Sequence, residues 1–141
     1  GVTTRLDTLQ AAVLLVKLQI FDDEIAARQA VAIHYEKLLT ESGAAIHPHI
    51  EPHNSSAWAQ YTVRVSGRDD LQIHMTQSGI PTAVHYPIPL NRQPAVLDGS
   101  AKLPVGDELA NHVLSLPMGP YLDAITQKLI VRYLKQSASK F

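Results

Sequence analysis

His85 and Tyr86 stand side by side where an apolar run, Ile80 to His85, meets Pro87, Pro89 and Pro94. An imidazole and a phenol on adjacent residues at a strand end can reach one ligand from two angles, and each can donate or accept a hydrogen bond. Every proline fixes φ near about −65° and removes an amide donor. The residues before them, Tyr86, Ile88 and Gln93, are biased to extended geometry. The stretch from Thr82 to Ala95 is therefore a stiff arm. It either presents His85, Tyr86, Asn91, Arg92 and Gln93 in fixed directions at small entropic cost on binding, or serves as a rigid loop over a sheet edge. A second grouping is Arg5, at a helix start beside Thr3 and Thr4, where a guanidinium and helix-terminal amides could together clamp an anion. The same Arg could simply cover the first helical turn.

Other chemistry-bearing residues have plainer readings. His47, His49 and His53 fall in a Pro- and Asn-rich stretch without a fourth ligand or a helical spacing, so a solvated loop accounts for them better than a metal site does. Asp22-Asp23-Glu24 and Asp69-Asp70 are runs of adjoining carboxylates. Both lie where helix surface or capping explains them. No G-x-G-x-x-G, P-loop, H-E-x-x-H or G-x-S-x-G pattern occurs.

The elements that must position these groups follow from periodicity. Thr4 to Asp7 fits a capping box, and a long helix from about Leu6 to Thr40 should follow, with a break or bend in its roughly 50 Å of length. Leu6, Leu9, Val13, Val16 and Ile20 form one stripe; Leu14, Leu18, Phe21 and Ile25 form a second on an adjacent face. A surface that wide implies a first half sandwiched between two bodies and a more exposed, charged second half. Ser42-Gly43 ends the helix. Trp58 to Val65 alternates as a half-buried strand, with Tyr61, Val63 and Val65 on one side and Gln60, Thr62 and Arg64 on the other. A short helix over Leu71–Ser78 buries Leu71, Ile73 and Met75 and is closed by Gly79. Ile80–His85 reads as a second strand, Asp107–His112 as a short helix capped by Asp107, and Val113–Leu116 as a third strand. Asp123 caps a final helix whose buried face is Ile125, Leu129, Ile130, Tyr133 and Leu134. The fold class expected is α+β: a long N-terminal helix and a small, mostly antiparallel three-stranded sheet flanked by helices.

Composition limits the function classes. The chain has 141 residues, 45% of them hydrophobic, and a net charge of −1, enough for one domain with a genuine core. Its basic residues are scattered, so the footprint of a nucleic-acid binder is missing. No apolar run reaches the roughly 20 residues that span a bilayer. Without cysteine there are no disulfides or thiolate metal sites, which fits a reducing, cytoplasmic setting. The start at Gly1, with neither an initiator Met nor a signal peptide, suggests a piece of something longer.

In order along the chain, G-V-T-T-R-L-D-T-L-Q-A-A, Q-Y-T-V-R-V, G-I-P-T-A-V-H-Y-P-I-P-L-N-R-Q-P-A, L-P-V-G-D and V-L-S-L-P-M-G-P-Y-L resemble the C-terminal part of the DegT-type nucleotide-sugar aminotransferases. These are pyridoxal-phosphate enzymes of the aspartate-aminotransferase fold. The resemblance covers essentially the whole chain and is nearest to enzymes that aminate a 3-keto UDP-N-acetyl-hexosaminuronic acid, from glutamate, for O-antigen or related lipopolysaccharide synthesis. It implies that residues 1–141 are the small C-terminal domain of a homodimeric enzyme. The cofactor lysine would then lie in a large N-terminal domain, and the chain alone would be inactive. None of Lys17, Lys37, Lys102, Lys128, Lys135 and Lys140 matches the cofactor-lysine motif. Carried over residue by residue, Arg5, His85 and Tyr86 would contact the sugar nucleotide. Thr3 stands where the family usually has an Asn that donates to the cofactor phosphate of the neighbouring subunit; a hydroxyl there can donate one hydrogen bond but has shorter reach, so either Thr4 shares the work or phosphate binding is weaker. The alternative class is a free-standing small-ligand-binding or regulatory domain without catalysis.

Overall fold

Asp7 begins the first helix in the computed structural model, which describes residues 6–138. Its carboxylate accepts from the Leu9 amide at 2.9 Å while its own amide donates to Gln10 Oε1 at 3.3 Å, so the capping box joins Asp7 to Gln10. Thr4, the cap expected from sequence, lies outside the described residues. The single long helix is two: α1 (Thr8–Gln19) and α2 (Phe21–Ser42) meet at Ile20. Neither Gly nor Pro breaks it. The Ile20 amide closes α1 in a tight turn onto Lys17 O at 3.2 Å, and the Glu24 amide opens α2 on Ile20 O at 3.0 Å. Asp22, Asp23 and Glu24 fill the first turn of α2, where negative charge favours a new helix N-terminus. Gly43, at φ 64°, takes the left-handed cap that ends α2.

Within this chain nothing sandwiches the first half of the run, and the second half is more buried than its charge suggests. No residue of α1 is buried, and its main neighbour is α2. The second half of the run supplies the core through Val31, Ala32, Tyr35 and Leu39. The double apolar stripe marks which faces avoid water, but it does not say what covers them.

β1 (Tyr61–Arg64) and β2 (Val113–Leu116) pair antiparallel, with Tyr61 opposite Leu116 and Thr62 opposite Ser115. Tyr61, Val63, Leu114 and Leu116 point to the helical side and are buried, as is Val65 beyond the strand. Tyr35 stacks on Tyr61 at 4.9 Å between ring centres, and Trp58 tilts against the same ring at 5.3 Å. Trp58 sits at φ 49°, unusual for a bulky residue. It is held there by Arg28, which donates to its carbonyl at 2.8 Å, and by Gln29, which accepts from its indole at 2.8 Å.

The third strand shrinks to one rung. Ala83 and Ser115 exchange both backbone hydrogen bonds, at 3.1 and 2.7 Å, and no ladder extends from them. On one side of that rung the next hydrogen-bonded pair would be Pro81 with Pro117, and neither has an amide to donate; on the other, His85 and Val113 have amides but form no bridge. The sheet is therefore two-stranded, with single bridges at Ile46 on the β1 side and Ala83 on the β2 side.

α3 (Arg68–Gln77) buries Arg68, Leu71 and Met75, while Ile73 is exposed. Gly79, at φ 74°, lets the Ile80 amide return to Met75 O and its own amide to Thr76 O, both at 2.9 Å, a complete Schellman closure. α4 (Pro104–Leu109) starts three residues earlier than expected, because Pro104 suits the first helical position where no amide bond is required. α5 (Ala124–Ala138) is capped by the Asp123 carboxylate, which accepts from the amides of Ile125 and Thr126 at 2.9 Å each. Its buried face is Gln127, Ile130, Val131 and Leu134, rotated from the apolar reading: Ile125 is exposed, Leu129 largely so, and Tyr133 is half-buried. Gln127 is admitted because both ends of its amide are paired, Nε2 donating to Val31 O and Oε1 accepting from His34 Nδ1, each at 2.8 Å.

Candidate functional site

The site grows from the Ala83–Ser115 rung. Two residues beyond it the chain reaches His85, whose Nδ1 lies 3.1 Å from Ser115 Oγ; that hydroxyl lies 2.9 Å from Thr62 Oγ1. His85 is half-buried and Tyr86 mostly exposed, with their rings edge-on at 5.7 Å across a cis peptide. His85 lines two hollows. One, of about 270 Å³, is bounded by Gln60, Thr82, Ser115 and Met118, and the Thr82 hydroxyl there is buried without a partner. The other, of about 240 Å³, takes Tyr86, Ile88 and Leu90 with Leu109 and Val113.

The arm beyond is stiff, but its polar groups are partly spent on itself. It forms two single turns of 3-10 helix, Leu90–Arg92 and Pro94–Val96. Arg92 grips Asp107 of α4 through two nitrogens at 2.7 and 2.5 Å, holding that carboxyl below the usual carboxylate range. Gln93 donates to Ile88 O at 3.1 Å, and Asn91 O accepts from the Asp98 amide at 3.1 Å. His85 and Tyr86 are thus the arm's presenting residues, and Arg92, Gln93 and the Asn91 backbone brace it. Arg5 and Thr3 lie outside the described residues.

Ser115 and Thr62 are functional neighbours that sequence reasoning passed over. The alternation of β1 placed Thr62 on the face away from the core. Its meeting with Ser115 depends on strand register across 53 residues, which no local pattern carries. Two of the three loop histidines make separate contacts, His47 with Pro48 O and His49 with Glu51. No cluster of three or more metal-ligating side chains occurs among the described residues.

This fold superposes on solved aminotransferase structures. An aminotransferase from Brucella abortus superposes with a TM-score of 0.87 at 38% identity, covering 98% of this chain and 37% of that one. DesV of S. venezuelae, solved with a ketimine intermediate, superposes at 0.89 and 33% identity, covering 100% and 39%. The chain belongs to the DegT/DnrJ/EryC1/StrS aminotransferase family, whose model matches residues 1–135. It is 58% identical over 130 residues to the UDP-2-acetamido-2-deoxy-3-oxo-D-glucuronate aminotransferase of Pseudomonas aeruginosa. That match covers 92% of this chain but only 36% of the relative's own length.

Aminotransferases of this family use pyridoxal phosphate, which a lysine of the protein would have to hold. No lysine lines either hollow beside His85. Lys17 is engaged by Glu24, and Lys37, Lys102 and Lys128 are exposed. These residues do not fit the cofactor. What the arrangement can supply is a shaped, partly apolar wall with one anchored imidazole and one exposed phenol.

Proposed function

We propose that this chain is the small C-terminal domain, residues 1–141, of a pyridoxal-phosphate-dependent aminotransferase. The enzyme moves an amino group from glutamate to a 3-keto UDP-sugar, UDP-2-acetamido-2-deoxy-3-oxo-glucuronate or a close relative, for surface-polysaccharide synthesis in the cytoplasm. The observation that carries the reading is the 58% identity across 92% of the chain to an enzyme of that name. The braced arm supports it. His85 and Tyr86 form one wall of the sugar-nucleotide pocket, offering a ring nitrogen and a phenol hydroxyl to oxygens of the ligand. The two adjoining hollows give room for parts of it.

Cofactor chemistry belongs to the large domain, where a lysine holds pyridoxal phosphate. Arg5 faces the negative charges of the substrate across a homodimer interface, and the Thr3 hydroxyl donates to the cofactor phosphate of the neighbouring subunit. The 141-residue chain by itself is inactive. The test is to express the chain with its upstream sequence and supply pyridoxal phosphate, glutamate and the 3-keto UDP-sugar. The proposal expects cofactor absorbance on the protein and a 3-amino sugar nucleotide by mass spectrometry. A full-length protein that binds no pyridoxal phosphate would end it.

A further inference from the structure

On the sheet face away from the helices, a short line of hydrogen bonds ends at His85. Thr62 and Ser115 are cross-strand partners with their hydroxyl oxygens 2.9 Å apart. Ser115 is 5% exposed, and its Oγ lies 3.1 Å from His85 Nδ1. Its backbone exchanges both hydrogen bonds with Ala83. One residue therefore holds the arm twice, through the main chain two residues before His85 and through the side chain at the ring. With Nδ1 committed to Ser115, the nitrogen left on the opposite ring edge is Nε2.

Counting protons gives the direction of the line. If Thr62 donates to Ser115 and Ser115 donates to Nδ1, both hydroxyl protons are placed, and the ring proton of neutral His85 sits on Nε2. In the reverse order Nδ1–H donates to Ser115 and Ser115 to Thr62. The half-buried Thr62 hydroxyl proton then has no acceptor among the described residues. In the first order both hydroxyl protons of the line have a partner within the protein, whereas the second leaves the Thr62 proton to solvent, so only the first order satisfies both hydroxyl donors internally.

We propose that Ser115, backed by Thr62, is a positioning residue that fixes the orientation and tautomer of His85, so that Nε2–H is presented outward as a donor. Such a donor suits an acceptor oxygen of the ligand: phosphate, carboxylate or carbonyl. The ring geometry stands without the aminotransferase reading, and only the identity of the ligand rests on it.

The tautomer can be read from long-range 1H–15N spectra of the 15N-labelled 141-residue chain at a pH above the usual histidine range, with His85 assigned by its loss in His85→Gln. The expected result is a bare Nδ1 and a protonated Nε2. In Ser115→Ala the Nδ1 resonance moves to that of a nitrogen receiving no hydrogen bond, while the other histidines keep theirs. Thr62→Val, which retains the β-branched shape on the strand, shifts His85 in the same direction by less. A proton on Nδ1 in the wild-type chain overturns the proposal. So does a His85 spectrum unchanged by both substitutions. In the full-length enzyme, Ser115→Ala should raise the sugar-nucleotide KM about two- to tenfold, the scale of one neutral hydrogen bond, and by more than it lowers kcat. A moved His85 spectrum with an unmoved KM supports the positioning role and overturns the sugar-contact reading of His85 instead.

Discussion

Tyr35 is fully buried, yet its hydroxyl is not wasted: it donates to Pro117 O at 3.0 Å, tying α2 to the end of β2. Burial pushes its phenol well above the usual tyrosine range, and Tyr61, stacked on it, is raised for the same reason. A group whose folded pKa is raised contributes stability that is complete below the unfolded value, about 10, and lost as pH climbs above it. Thermal melts of the chain should therefore hold steady through neutral pH and fall steeply beyond about pH 10. Tyr35→Phe should cost about 1 kcal/mol at pH 8 by removing the bond to Pro117, but it should flatten part of the alkaline decline. A decline just as steep in the variant would show that Tyr35 does not drive it. At this scale the core was largely legible, since the alternation through Tyr61, Val63 and Val65 needed only a period of two. Gln127 was not, because its licence to be buried comes from His34 and Val31, some 90 residues away.

The joint between α1 and α2 shows what an element can hide. The length of the run called for a break or bend, but the apolar period runs straight through Ile20 and did not place it. Across the joint Lys17 Nζ donates to Glu24 Oε1 at 2.9 Å, and the Tyr121 hydroxyl reaches the same oxygen at 2.8 Å. One carboxylate thus links α1, α2 and the turn before α5. Those hydrogen bonds, from Lys17 first and then Tyr121, lower the Glu24 pKa. The clasp is accordingly complete at neutral pH and is lost only in acid, as pH falls through that depressed value. Glu24→Gln should loosen the angle of α1. Because the chain has no cysteine, spin labels at Gln10→Cys and Lys128→Cys would report it cleanly. The distance distribution should broaden in Glu24→Gln, and an unchanged distribution would mean that packing at Ile20 alone sets the angle. The lost third strand teaches a related point. Ile80–His85 has a strand's composition, but Pro81 facing Pro117 removes both donors at the rung on its N-terminal side, and that conflict appears only once the register is known.

Taken as a whole, the molecule has a well-packed centre and one unclothed limb. Leu9, Val13 and Val16 on one face of α1 and Leu15 and Leu18 on another are each more than half exposed, apolar surface that water tolerates poorly. Sedimentation of the 141-residue chain should show concentration-dependent self-association, and Val13→Glu with Val16→Glu should return it to a monomer. A wild-type chain monomeric at all concentrations would contradict this. Periodicity made the width of that surface legible, and the ordered motifs through H-Y-P-I-P-L-N-R-Q-P-A made the family legible. The Ser115 anchor was not, because it arises where two strands and the arm converge. The central claim is that this arm is one wall of a sugar-nucleotide pocket. It is tested most directly by saturation curves for the 3-keto UDP-sugar in the full-length enzyme, wild type against His85→Ala. The account predicts a KM raised about tenfold or more, with the glutamate half-reaction much less affected. An equal loss in both half-reactions, or an unchanged KM, would contradict it.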